Sequence, residues 1–121
     1  MIEIMNPDFI HKDDRGQLTQ LVRDGFNQVN VIFSKKGAIR GGHYHKINEE
    51  AFYIIDGKCK VEVSNKQGMN ETYEFRKGDM FKICPFTLHG FEYMEDTLLV
   101  SMYSKGVELG NGQMDSYTDF D

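Results

Sequence analysis

Residues 58–64, Lys-Cys-Lys-Val-Glu-Val-Ser, alternate polar and apolar with a period of two, and Asp56-Gly57 stands directly before them. That alternation is the signature of a strand with one face in a core and one in water. The Asp-Gly pair suits a tight hairpin turn, because glycine accepts positive φ. The same grammar recurs along the chain. Residues 17–22, 28–34, 51–55, 72–75, 80–84, 90–93 and 97–103 read as strands, with turn signals at 65–68 and at Lys77-Gly78-Asp79. No window carries the period of a long amphipathic helix. Short strands at regular spacing predict an all-β protein, a sandwich or barrel of antiparallel strands. With 121 residues the chain has room for one domain and one core. That domain spans 1–121, with the barrel at about 17–104, an N-terminal arm at 1–16 and a polar, glycine-rich tail at 105–121.

Charge and composition narrow the partners. The formal net charge is -5, which disfavours nucleic acid, whose phosphates need a clustered basic face. A few local cations remain able to hold one phosphorylated small molecule. No apolar run approaches the length of a membrane span, and the first eight residues lack the charged-then-apolar order of a signal peptide. The expectation is a cytoplasmic protein with no membrane and no nucleic-acid partner. Cys59 and Cys84 then read as reduced thiols. Cys59 shares parity with Val61 and Val63, so it is expected to pack as a small apolar group.

Three of the four histidines fall in two short segments. His43 and His45 lie two residues apart, so in a strand they project to one face together. Glu50 opens the next strand, close enough across the turn to join them, with Glu49 as the alternative carboxylate. A proline-containing loop, 84–88, delivers His89. Three neutral imidazoles and one carboxylate suit a divalent first-row metal. Four ligands on an octahedral ion leave two positions open for water, oxygen or a bidentate substrate.

The run Gly37, five residues, His43-Tyr44-His45, four residues, Glu50, six residues, Gly57 resembles the first cupin motif at every position. Gly78, Pro85 and His89 are similar to the second. Thr87 stands where a glycine is common, and Tyr93 where an asparagine often follows. The resemblance covers about residues 37–93. It implies a small jelly-roll β-barrel whose metal ligands are His43, His45, Glu50 and His89. It also implies iron, manganese, nickel, cobalt or zinc as the ion.

A narrower resemblance starts at Asp13-Asp14-Arg15-Gly16 and continues through Arg40-Gly41-Gly42-His43-Tyr44-His45-Lys46. It is to the cupins that act on nucleotide-linked deoxysugars: thymidine-diphosphate-sugar 3,4-ketoisomerases, related epimerases, and the cupin domain of capsule-synthesis reductases. For the ketoisomerases it implies that His43 and His45 are a metal-free acid/base pair. A histidine titrating near neutrality suits both halves of such a proton transfer. Arg15 and Arg40 would then meet the diphosphate. Those isomerases tend to carry an amide where this chain has Glu50. Three functions stay open: an isomerase or epimerase of a nucleotide-diphosphate-linked keto sugar, a metal-dependent cupin (a dioxygenase or small-carbohydrate isomerase), and a non-catalytic binding module. Strand parity nominates Tyr53, Ile55, Phe81, Ile83, Phe91 and Met102 as cavity lining, with Tyr53 a substrate contact, and makes the histidine pocket the main cavity. An unpaired edge at 17–22 predicts a homodimer, in keeping with the dimers that such sugar-nucleotide cupins form.

Overall fold

The structure, a computed structural model, describes residues 1–120, and among them there is no α-helix. Five antiparallel strands form one sheet in the order β1 (Ile2–Met5), β9 (Met80–Ile83), β6 (Glu50–Asp56), β11 (Thr97–Tyr103), β4 (Gln28–Ser34). Four form a second, in the order β5 (Ile39–His43), β10 (Leu88–Tyr93), β7 (Lys58–Ser64), β8 (Asn70–Arg76). A separate two-stranded hairpin joins β2 (Phe9–Asp13) to β3 (Gly16–Gln20). The all-β jelly roll expected from the sequence is the architecture found.

The two large sheets bury their facing residues against each other. Phe52, Ile54, Phe81, Ile83 and Leu99 of the first meet Cys59, Val61, Val63, Phe75, Phe91 and Tyr93 of the second in one apolar cluster. Its middle is aromatic, with Phe81 stacked on Phe75 at 3.8 Å and on Phe52 at 5.1 Å between ring centroids. Each such side chain contributes about 1.5–3 kcal/mol by leaving water. Cys59 lies in this cluster, and burial pushes its thiol up to about 12, so it is an inert packing group.

The first twenty residues depart from the division expected from the sequence. Residues 2–5 are not an arm: β1 pairs with β9, with Ile2 opposite Ile83 and Met5 opposite Met80. Residues 16–20 are not a barrel strand: among the described residues β3 pairs only with β2, through Asp13 opposite Gly16. The cause is local. The Asp13 carboxylate accepts the Arg15 backbone N–H at 2.9 Å and its guanidinium at 2.6 Å, which closes a two-residue turn. The five-stranded sheet also has a second apolar layer on its outer face, where Ala51, Met80 and Met102 are covered by Met5, Leu21, Val22 and Phe26.

Two glycines are required by close approach. At Gly41, with φ 97°, a Cβ would stand 2.7 Å from the His89 carbonyl oxygen. At Gly57, with φ 105°, it would stand 2.5 Å from the Asp96 carbonyl oxygen. Both are places where one stretch of backbone runs close against another, and Gly57, in the turn between β6 and β7, is the last glycine of the first sequence motif.

Candidate active site

His43 ends β5 and lies directly opposite His89 of β10, so the two rings share the inner face of the four-stranded sheet. Glu50 opens β6 on the facing sheet, flanked by Ile83 and Tyr103. His45 follows β5 in the connection to β6. The ring centroids of the three histidines lie 4.8 to 5.3 Å apart. One ligating atom from each of His43, His45, Glu50 and His89 falls within 4.8 Å of the others. The structure therefore brings together all four residues expected from spacing. Glu49 is turned away and pairs with Lys82 at 2.5 Å.

The hydrogen bonds fix which ring nitrogens face the carboxylate. His45 donates from Nδ1 to the Asp115 carbonyl at 2.5 Å, and His89 donates from Nδ1 to the Thr87 carbonyl at 3.0 Å. A carbonyl only accepts, so both Nδ1 atoms carry hydrogen. The Nε2 atoms converge on one oxygen, Glu50 Oε1, at 3.1 Å from His45 and 3.5 Å from His89. The other oxygen, Oε2, accepts the Ser101 hydroxyl at 2.5 Å.

This arrangement drives the titrations apart. His43 is pushed down to about 4, by burial first and then by the neighbouring charges of His89 and His45. His45 is also disfavoured as a cation by burial, yet its hydrogen bonds to Glu50 and to the Asp115 carbonyl outweigh that and raise it. Burial would raise the Glu50 carboxyl, but hydrogen bonds from His45 and His89 hold it at about 2. Near neutrality the metal-free site thus holds a neutral His43 beside an ionised Glu50 whose hydrogen bond to His45 favours that ring's cationic form.

A cavity of about 230 Å³ opens onto this cluster, lined by Arg40, His43, Glu50, His89, Tyr93 and Tyr103 together with Ile32, Gly41, Phe52 and Phe91. Three surface grooves, of about 280 to 300 Å³, are larger, so the histidine cavity is not the largest hollow. Of the residues nominated as lining, Phe91 is there, while Phe81 and Ile83 pack in the core behind it. Tyr53, Ile55 and Met102 are on the wrong side. Glu50 and Phe52 point inward, so Tyr53 and Ile55 point outward, and Tyr53 packs against the outer layer with Met102. Tyr53 is therefore no part of the cavity. Arg40 stands at its edge, its Nε donating to Ser34 Oγ at 2.7 Å. Arg15 does not line it: it sits on the β2–β3 hairpin, 85% exposed and paired with Asp13. Sequence reasoning missed Ser101, Tyr103 and Asp115. Tyr103 had a signal in its parity with Ser101 on β11, and burial beside the Glu50 charge pushes its hydroxyl up and keeps it protonated.

The sequence profile of the family described as polysaccharide biosynthesis C-terminal domain matches residues 11–108. The chain belongs to that family. The matched span of this polysaccharide biosynthesis C-terminal domain takes in the hairpin from residue 11 on, all four site residues and Arg40. A curated relative is the spore coat polysaccharide biosynthesis protein SpsL of Bacillus subtilis (strain 168), 28% identical over 107 residues, covering 77% of this chain and 71% of SpsL. Two solved structures share the fold. One is a variant of the 3,4-ketoisomerase QdtA from Thermoanaerobacterium thermosaccharolyticum in complex with TDP-4-keto-6-deoxyglucose. Its TM-score is 0.78 at 16% identity, covering 98% of this chain and 87% of that one. The other is the dTDP-4-dehydrorhamnose 3,5-epimerase from Sulfolobus tokodaii, with TM-score 0.70 at 22% identity, covering 84% and 74%.

Proposed function

We propose that this domain moves a proton next to the carbonyl of a nucleotide-diphosphate-linked keto sugar, as an isomerase or epimerase, with His43 as the base. The observation that carries this reading is a neutral imidazole on a cavity wall, beside a buried, ionised Glu50 hydrogen-bonded to His45, with an arginine at the rim. Among the fold's relatives, one was solved with a TDP-linked keto sugar and another is named for epimerising one, which supports the substrate class.

The step is simple in atoms. The carbon beside the carbonyl gives its proton to the free His43 nitrogen, and its electron pair forms the enediolate double bond while the carbonyl oxygen takes up the charge. Return of the proton to the former carbonyl carbon, with the hydroxyl proton passing from the neighbouring oxygen to the former carbonyl oxygen, moves the ketone. Delivery of a proton to the same carbon from the opposite face, by an acid other than His43, inverts it, and His43 gives its proton up to solvent. His45 is 3% exposed and outside the cavity lining; it acts through Glu50, which it holds ionised and in place. Tyr103 and Tyr93 present hydroxyls able to bond the sugar oxygens. Arg40 would meet the diphosphate, and bidentate guanidinium contacts give such a clamp its direction. Arg15, on the protruding hairpin, would contribute only across a dimer. The direct test is solvent-deuterium incorporation into a keto-sugar nucleotide, followed by NMR. Absence of exchange with any such sugar, with and without metal, refutes the proposal. Arg40→Ala is expected to raise KM about 10- to 100-fold, the loss of a charged hydrogen bond worth about 1.5–3 kcal/mol, with kcat nearly unchanged.

The four donors also fit a divalent ion. Two ligand atoms about 2.1 Å from one ion lie about 3.0 to 3.4 Å apart at octahedral to tetrahedral angles, and the Nε2–Oε1 separations are 3.1 and 3.5 Å. The spread of the full set, within 4.8 Å, has to close slightly, since atoms sharing such an ion are at most about 4.2 Å apart. His43, His45, Glu50 and His89 would hold iron, manganese, nickel, cobalt or zinc, which would supply Lewis acidity at the sugar carbonyl. His89→Leu is expected to abolish metal uptake, measured by elemental analysis after dialysis, while circular dichroism stays that of the barrel. Undiminished uptake would exclude this ligand set.

The domain is also proposed to be a homodimer. The support is on β4, an edge strand whose outward Val31 and Phe33 are 68% and 54% exposed, and on the hairpin with exposed Phe9, Ile10 and Leu18. Bare apolar strands at a free edge are pairing templates. Light scattering at micromolar concentration is expected to give about twice the 14.0 kDa chain mass. A stable monomer would contradict this.

A further inference from the structure

We propose that the C-terminal segment after the barrel is a positioning strap for His45, with Asp115 as its anchor. Calling it a positioning element rests on the histidine site being the active site; the contacts themselves do not.

Asp115 is a buried acid in a polar tail, and it uses both of its acceptor groups on the same short stretch. Its backbone carbonyl takes the His45 Nδ1 proton at 2.5 Å. Its carboxylate takes the next three backbone amides: Lys46 at 2.8 Å, Ile47 at 3.1 Å and Asn48 at 3.1 Å. The Asn48 amide side chain adds a fourth donor at 2.8 Å. On the other side of His45, Tyr44 and Tyr117 exchange backbone hydrogen bonds at 2.8 and 3.0 Å. The residue bearing the ring is thus held before, behind and at the ring itself by one segment more than sixty residues away in the chain.

The far end is tied as firmly. Asp115 N–H bonds the Val107 carbonyl at 2.8 Å. Asn48 Oδ1 accepts the Lys105 and Gly106 amides at 2.9 Å each, and its Nδ2 donates to the Gly106 carbonyl at 2.9 Å. The consequence for chemistry is the ring orientation. With the hydrogen of Nδ1 committed to Asp115, Nε2 is the nitrogen left facing Glu50, which is the arrangement needed to hold that carboxylate or to offer a lone pair to an ion. His89 obtains the same orientation from its own loop, through Thr87 two residues away. His45 obtains it only from the strap.

The test uses full-length, metal-free protein labelled with nitrogen-15 in its histidines. Among the protected ring N–H groups of the wild type in proton–nitrogen correlation spectra should be the Nδ1–H of His45 and that of His89. Asp115→Ala should lose the His45 signal, with ring N–H exchange at least about tenfold faster, while the His89 signal stays. Asp115→Asn, which keeps one acceptor oxygen, should be intermediate. Ser116→Ala, an exposed neighbour, should match wild type. If the keto-sugar reading holds, kcat for deuterium exchange in Asp115→Ala should fall about 10- to 100-fold with KM within about threefold. The NMR comparison stands without any substrate, so failure of the function and failure of the strap are separable. An unprotected His45 Nδ1–H in wild type, an unchanged signal in Asp115→Ala, or joint loss of the His45 and His89 signals in both Asp115 variants would overturn the proposal.

Discussion

Glu50→Gln, in metal-free protein, is expected to lose about 3–5 kcal/mol of folding stability near pH 5.5, the cost of leaving a buried charge without its partner. The pH is chosen from the two shifts. Glu50 is lowered to about 2, so its contribution is complete above the ordinary carboxylate value and is lost as pH falls toward about 2. His45 is raised, so its contribution is complete below its ordinary value of 6.5 and is lost as pH rises through the raised one. The pair is therefore fully made between the ordinary values of the two groups. In the variant burial lowers His45 with Glu50 no longer opposing it, so the ring sheds its proton well below about pH 8.5, two units above its ordinary value of 6.5, and at that pH is neutral at little cost. Urea unfolding at the two pH values should give a large loss at the lower and a small one at the higher. Equal losses would mean that Glu50 acts by packing and not by charge.

His43→Asn is expected to slow solvent-deuterium exchange into a keto-sugar nucleotide by about 10²- to 10⁴-fold, the range for removing a general base. KM should hardly change, because the lost interaction belongs to the transition state. The wild-type pH profile makes the assignment specific. A base must be unprotonated, and His43 is pushed down to about 4 by burial and by its histidine neighbours. Exchange should therefore stay level from neutrality down toward about pH 4 and fall only below it. A loss of kcat centred on 6.5 would point to a group with an ordinary histidine titration and would remove His43 from the role.

The candidate site was readable because it is written in two local codes. Strand parity put His43 and His45 on one face, and motif spacing selected Glu50 over Glu49, which the structure turns out to Lys82. Parity failed one strand later. Residues 51–55 are apolar at every position, since β6 is a central strand covered on both faces, by the core inside and by the Leu21–Phe26 layer outside. A strand buried on both sides has no alternation to read, and Tyr53 was nominated where Phe52 belongs. Met102 on β11 is the same case. Arg15 was read from its motif, but its turn is held by Asp13 on a hairpin that leaves the barrel.

What the sequence alone determined is whatever depends on neighbours a few residues apart: the all-β class, the turns, and the identity of the four residues that converge in the site. Those follow from period, φ and spacing, which are properties of short stretches. Tertiary structure decided the state of each group. His43 and His45 are the same residue type two positions apart, and they titrate in opposite directions because one meets burial and two other histidines while the other meets Glu50 and the carbonyl of Asp115. Asp115 lies seventy residues from His45 in a tail with no periodicity. Desolvation and hydrogen bonding act through space over a few ångströms, so no local pattern in the chain carries them.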